Sequence, residues 1–507
     1  MKKTQSYETH KMQLFSKQRG RKQNLTKPLA ITMALSLLLS GTACGNKEDA
    51  SLSGASNQAI GSNASAAKAE SRHVANEQDK PENQSGQQSP NGLKLICTED
   101  GSASCATQEG YYYISTELLT LQDKSLGNRL MYMDYASCRE ICLCSAPGCT
   151  HDTKDCTAVL PNKEFPAYTS KLFLHQGSLY ILSRQPDYDG SYFSSFSPNG
   201  ESVMGETSKA NELQAVLYRM NPDGTGRQKV YSFDPNLTLE GTLALDEQGL
   251  YAITKKLSTQ KEGNGEYISA AEKTLVYLDL SSYSLTQISD MEFGDNISWD
   301  LIGCADGSFL LEGIDYGRKL TTEEYYDDDA YPEFYKNSHT VFALLDTASG
   351  SPKEFYRIGN EGIHSAALLG NNLYISFIDN GQIISVNTAT GEERLLVTHP
   401  QNYITGTIGN MLCCQNLNSS ADPSYYFIDT DTGEIRHSDL VNKTLGWSLD
   451  LVAETESDVL VIYDYDATAT SGGGYEIHLY QYGLISKEDL FSGKENYRKI
   501  QMSGRGC

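Results

Sequence analysis

The stretch Asn371-Asn372-Leu373-Tyr374, then Ser385-Val386-Asn387-Thr388-Ala389-Thr390-Gly391 and Arg394-Leu395-Leu396-Val397, decides the fold. It reads as strand, strand, tight turn, strand. Asn, Thr and Gly supply the backbone geometry that a hairpin turn needs. Outward from this unit, the opening signature recurs in both directions. It returns as Gly110-Tyr111-Tyr112-Tyr113, Gly177-Ser178-Leu179-Tyr180, Gly249-Leu250-Tyr251, Gly307-Ser308-Phe309-Leu310, Gly409-Asn410-Met411-Leu412 and Asp458-Val459-Leu460, giving seven copies.

The turn recurs as well. Leu217-Tyr218-Arg219-Met220 runs into Asn221-Pro222-Asp223-Gly224-Thr225-Gly226, Tyr277-Leu278-Asp279-Leu280 into Ser281-Ser282-Tyr283, Leu344-Leu345-Asp346 into Thr347-Ala348-Ser349-Gly350, and Phe427-Ile428-Asp429 into Thr430-Asp431-Thr432-Gly433. Short strands repeating at about 40 to 70 residues mean radial β repetition. The expected fold is all-β, a β-propeller of about seven four-stranded blades over 96–500. A string of sandwich domains would not keep this pitch. In a propeller the loops between second and third strands share a face with the blade-to-blade connections. The second-to-third gaps near 184–214, 255–274 and 314–340 are long, so that face is the expected contact surface.

With their Tyr- or Ile-rich strands, the Asp-Gly-Thr-Gly and Thr-Gly turns resemble TolB-type and low-density-lipoprotein-receptor-like propeller repeats over about 105–500. Together with the leader and the cysteine-rich element described below, the chain is similar to lipoproteins of Gram-positive anaerobes. That resemblance implies a fold and an address but no reaction.

The leader carries Lys2, Lys3, Lys11, Lys17, Arg19, Arg21, Lys22 and Lys27 before an apolar run from Leu29 to Leu39. The run falls short of the roughly 20 residues that span a bilayer and fits a secretory signal. Its end, Leu39-Ser40-Gly41-Thr42-Ala43-Cys44-Gly45, resembles a lipobox, with Gly41 where that family usually has Leu. The resemblance implies cleavage of signal peptide 1–43 and acylation of Cys44, leaving a lipid anchor in the cell membrane on its extracytoplasmic face. From Asn46 to about Pro90 the composition shifts to Ser, Ala, Asn, Gln, Gly, Lys and Glu, and 44–95 is expected to be a flexible tether. Ser65-Ala66-Ala67-Lys68 within it matches an acyl-enzyme motif by chance, since that chemistry needs a preorganised site.

The whole chain has 65 acidic and 41 basic residues. Such charge excludes nucleic acid as a partner. Five of the 12 cysteines fall in 138–156, where Cys144, Cys149, His151 and Cys156 form the ligand set of a closed zinc site. Disulfides are the competing expectation for an exported chain, for instance from Cys142 or Cys144 to Cys97 or Cys105. With Cys44 acylated, an odd number of cysteines remains, which favours at least one unpaired or metal-bound thiol. The segment follows the last strand of blade one and is expected on the long-loop face.

Two aromatic loops, with Tyr188 and Tyr192 in one and Tyr325, Tyr326, Asp327, Asp328 and Asp329 in the other, form a candidate ligand-binding rim. A solvated acidic insertion is the plainer reading of the second. No metalloprotease, phosphate-loop or serine-hydrolase motif occurs. The function expected is a monomeric, membrane-tethered binding or scaffold module whose partner is an envelope protein or glycan. The alternatives are a propeller enzyme, a hydrolase or lyase acting on envelope or host polysaccharide, and a structural envelope protein with no small ligand.

Overall fold

The structure is a computed structural model. It describes residues 92–503 apart from 99–102, 168, 184–193, 197–201, 205–213, 236, 263–264, 292–296, 319, 321–323, 325–329, 348, 418–421 and 471–474. It is a seven-bladed β-propeller of four-stranded antiparallel sheets. Every opening signature lies in or beside the second strand of a blade: Gly110–Ile114, Ser178–Ser183, Gly249–Glu262, Ser308–Asp315, Asn372–Phe377, Met411–Gln415 and Asp458–Ala469. The innermost strands are Ser104–Ala106, Lys171–His175, Leu237–Leu245, Ile297–Ala305, His364–Leu369, Tyr403–Ile408 and Asp450–Glu454.

Between blades lie seven apolar clusters, one at each seam. Leu250, Ala252 and Leu278 of blade 3 meet Phe173 and Leu182 of blade 2 in one of them. This burial of apolar area is the main favourable term for the ring. In blades 5 and 6 the turn between third and fourth strands is built by one acceptor. Asn387 Oδ1 takes the N–H groups of Ala389 and Thr390, and Asp429 Oδ1 those of Asp431 and Thr432. Asp429-Thr430-Asp431-Thr432-Gly433 is therefore a hairpin turn, as the repeat implies. The glycine that closes each of two third-to-fourth turns has two jobs. Gly391 sits at φ 73°, and a Cβ there would stand 2.7 Å from Phe355 O in the preceding blade. Gly224 at φ 82° likewise faces Leu143 O at 2.6 Å.

Three features depart from the sequence expectation. The gap at 255–274 is a β-hairpin, since Gly249–Glu262 and Gly265–Asp279 stay paired out to Glu262 and Gly265. Blade 7 has a similar arm, paired out to Ala469 and Tyr475. Both arms project on the upper face, the side of the second-to-third connections.

The second departure is the strand Lys94–Cys97, which falls across the expected boundary between tether and propeller. It pairs antiparallel with Leu237–Leu245 on that strand's free inner edge, inside the ring. Gly92 stands beside Glu247, in a lower-face turn, and Thr98 O accepts a hydrogen bond from Lys171 Nζ at 2.9 Å near the upper face. The strand therefore climbs the ring from the lower face to the upper.

The third departure is the cysteine-rich segment. It does not follow the outermost strand of blade 1 but interrupts it. Arg139–Cys142 pairs with Met131 to Asp134, and the strand resumes as Val159–Pro161, paired with Gly127 to Arg129. Leu130, between the two halves, holds the neck of the excursion. Its N–H donates to Ala158 O and its carbonyl accepts from Leu143 N–H. A sequence pattern shows where strand character stops, but not that the same edge is rejoined later.

Candidate metal centre

The excursion 143–158 leaves the outer rim of blade 1. Its ligand-bearing stretch is shaped by local hydrogen bonds: Cys144 N–H to Cys142 O, Cys149 N–H to Ala146 O, and Cys156 N–H to Thr153 O. Gly148 at φ 70° and His151 at φ 54° adopt left-handed backbone, which turns the chain back on itself twice within four residues.

The result brings together the four side chains the sequence singled out. One ligand atom each from Cys144, Cys149, His151 and Cys156 lie within 4.8 Å of one another, and His151 Nδ1 is 3.3 Å from Cys156 Sγ. A tetrahedral zinc with bonds of about 2.3 Å sets its sulfurs about 3.8 Å apart. The cluster thus has the chemistry and nearly the spacing to hold a soft metal ion. Burial and the nearby Arg129 guanidinium hold the His151 imidazole below its ordinary pKa, which favours the neutral, ligating form. Burial works to raise the Cys144 thiol, but hydrogen bonds from the Ala146 backbone and from Thr157, Cys156 and Cys149 outweigh it and the net shift is downward. Burial pushes Cys156 up to about 12.

Neighbours that the sequence reading missed hold the excursion in place. Arg227, in blade 2, donates to Thr157 O and Val159 O, both at 3.1 Å. Gln122 N–H donates to Asp152 O, and Lys154 pairs with Asp123 at 2.7 Å. Leu121, Met131, Cys142, Cys156, Ala158 and Val159 form a small apolar cluster beneath. Arg227 lies some seventy residues from its acceptors, so no local pattern announces it. The described cysteines carry no disulfide; Cys142 Sγ packs on Met131 Sδ, and Cys97 Sγ faces Leu172 O. Tyr188, Tyr192, Tyr325, Tyr326, Asp327, Asp328, Asp329 and Cys44 lie outside the described residues.

Two other groups of ionisable side chains stand near the ring's interior. Glu240, in the innermost strand of blade 3, accepts Lys255 at 3.0 Å and Lys273 at 3.1 Å, and Lys273 reaches Asp300 of blade 4 at 3.0 Å. Burial works against the Glu240 carboxylate, but the two lysines outweigh it and hold its pKa below the ordinary value. These charges neutralise one another and tie two blades together. In the central channel, a cavity of about 400 Å³ is lined by Lys94, Cys105, Gln108, Tyr111 and Glu454 among others. There Glu454 is engaged by Gly409 N–H and Lys487.

No family model and no curated protein matches the sequence. Among solved structures, the chain is similar to Pyrococcus horikoshii acylaminoacyl peptidase (12% identity, TM-score 0.37, 65% of this chain and 45% of that one). It is also similar to TolB from Acinetobacter baumannii (12% identity, TM-score 0.30, 75% and 77%) and to an oligogalacturonate lyase in complex with manganese (11%, TM-score 0.32, 62% and 84%). The chain thus spans under half the length of the peptidase. Likeness at this level carries no argument about activity, and the propeller is read from its own strand pairing.

Proposed function

We propose that this chain is a lipid-anchored, extracytoplasmic propeller that works as a binding or scaffold module, with a structural zinc in the loop on blade 1. One observation carries the reading: three thiols and one imidazole converge at a single point of the rim. Four protein ligands fill a tetrahedral zinc, which then stabilises the fold and has no position left for a substrate. The ion replaces the apolar core that a 16-residue excursion is too short to build.

The anchor rests on the Ala43-Cys44 junction after its apolar run. Each buried CH₂ of an acyl chain contributes about 0.8 kcal/mol to membrane attachment, so two or more chains retain the domain. The projecting hairpins of blades 3 and 7 make the upper face the contact surface for an envelope protein or glycan. The acidic chain disfavours nucleic acid.

Two measurements test this. Growth with a clickable palmitate analogue should label the chain, and Cys44→Ala should abolish the label and release the protein from membranes. Label persisting on that variant would overturn the anchor. Metal analysis of the purified domain should find one zinc per chain, lost in Cys149→Ser. A metal-free domain, with Cys144, Cys149 and Cys156 recovered in disulfide-linked peptides, would overturn the zinc.

A further inference from the structure

The first and last blades are each built from contiguous chain, so no shared sheet closes the ring. Beside the apolar cluster at this seam, closure is made by the last described residues. Arg498–Lys499 pairs with Gly483 and Leu484 of blade 7, and Ile500 N–H donates to Tyr482 O. The chain then crosses to blade 1. Gln501 N–H donates to Cys138 O at 2.8 Å, Glu140 N–H donates to Gln501 O at 3.0 Å, and Arg139 and Gln501 form a parallel bridge. The Glu140 carboxylate accepts Ser503 N–H at 2.8 Å, the Ser503 hydroxyl at 2.6 Å and the Tyr113 hydroxyl. Ile500 is buried in the apolar cluster between blades 7 and 1.

This latch grips the same strand that the metal loop interrupts. Arg139–Cys142 has only four residues. The tail holds its beginning, and its end runs straight into the neck at Leu143, with the first ligand at Cys144. A strand this short has no pairs to spare. Freeing one end leaves the other with few partners, and edge pairings open locally at low cost.

We infer that metal in the blade 1 loop tightens the seam between blades 7 and 1, so that ring closure responds to metal occupancy. The inference rests on the metal reading above. Linkage makes the coupling reciprocal: if the metal stabilises the latch, the latch raises affinity for the metal by the same factor.

The test is amide hydrogen exchange on the full chain, loaded with zinc and then stripped with a chelator, with metal content measured on the same samples. Stripping should speed exchange on the order of tenfold, both in 143–158 and in Ile500 to Ser503, and leave Asn372–Phe377 of blade 5 unchanged. Zinc bound and lost, with a faster loop but an unchanged tail, overturns the coupling and leaves the metal site standing. A chain that never binds zinc overturns both. As the reciprocal arm, Glu140→Gln combined with Ser503→Ala, which touches no ligand, should weaken zinc affinity by a similar factor. Unchanged affinity in a folded variant overturns the coupling.

Discussion

Blades 5 and 6 and blade 1 reach the same four-stranded outline by different means. In blade 5 every strand has six residues, the connections within the blade are short, and pairing is continuous but for one bulge in the outer pair. In blade 6, Phe427 is fully buried and its ring lies 4.7 Å from that of Phe491. In blade 1 the edge strand is cut in two, the innermost strand has three residues, and a loop rich in thiols sits on the rim. Burial holds the regular blades. Blade 1 adds a cluster of three thiols and an imidazole able to hold a metal, an arginine from the next blade and a borrowed tail. An edge strand can be interrupted because its outer side carries no further pairing, provided that polar ties supplement the small apolar cluster beneath the excursion.

The contrast can be broken from either side. The largest effect is expected in the regular half. Phe427→Ala should cost about 3–5 kcal/mol in urea denaturation and leave zinc content unchanged; a loss below about 1 kcal/mol would show that burial does not dominate there. On blade 1, Cys149→Ser should cost about 2–4 kcal/mol, the stabilisation a ligand supplies well above its dissociation constant. Added zinc should raise the melting temperature of the parent chain but not of this variant. Gly391→Ala should cost about 1–2 kcal/mol, because both its φ of 73° and the Phe355 carbonyl at 2.7 Å oppose a side chain. An unaltered melting temperature would mean that the turn can move away from blade 4.

The smallest effect is electrostatic. Hydrogen bonds from Ser281 and Ser282 hold the Asp279 carboxyl at about 2. A carboxylate whose pKa is depressed in the fold contributes stability that is complete above its unfolded value, about 3.9, and is lost as pH falls through 2. Carbon-detected NMR titration should find this carboxyl still ionised at pH 3. A midpoint near 4 would show that the turn is not formed.

The second strands and the turns were legible in the sequence because each carries a local signature: a glycine or acid, an aromatic, then a hairpin acceptor. The four ligands were legible for the same reason, since all lie within one short stretch. The innermost strands were not. Leu237–Leu245 is paired on both edges and mostly buried, so its side chains do not alternate apolar with polar. Lys94–Cys97 finds its partner some 150 residues away, at Leu243 to Leu245. Nothing in Lys-Leu-Ile-Cys names that partner. The interruption of the edge strand escaped for a related reason, because Val159–Pro161 declares its register only against Arg129.

The strand inside the ring also sets where a pull on the domain would arrive. Gly92, the first described residue, lies at the lower end of the strand inside the ring rather than on the rim. Tension applied at Gly92 therefore acts close to the propeller's own rotation axis and exerts little torque on the blades. It loads the pairs between Lys94–Cys97 and blade 3 lengthwise, all together, instead of peeling them one by one. Held by the proposed anchor, a domain pulled at Gly92 would act as a swivel, free to spin about its axis with both projecting arms on the face opposite the pull.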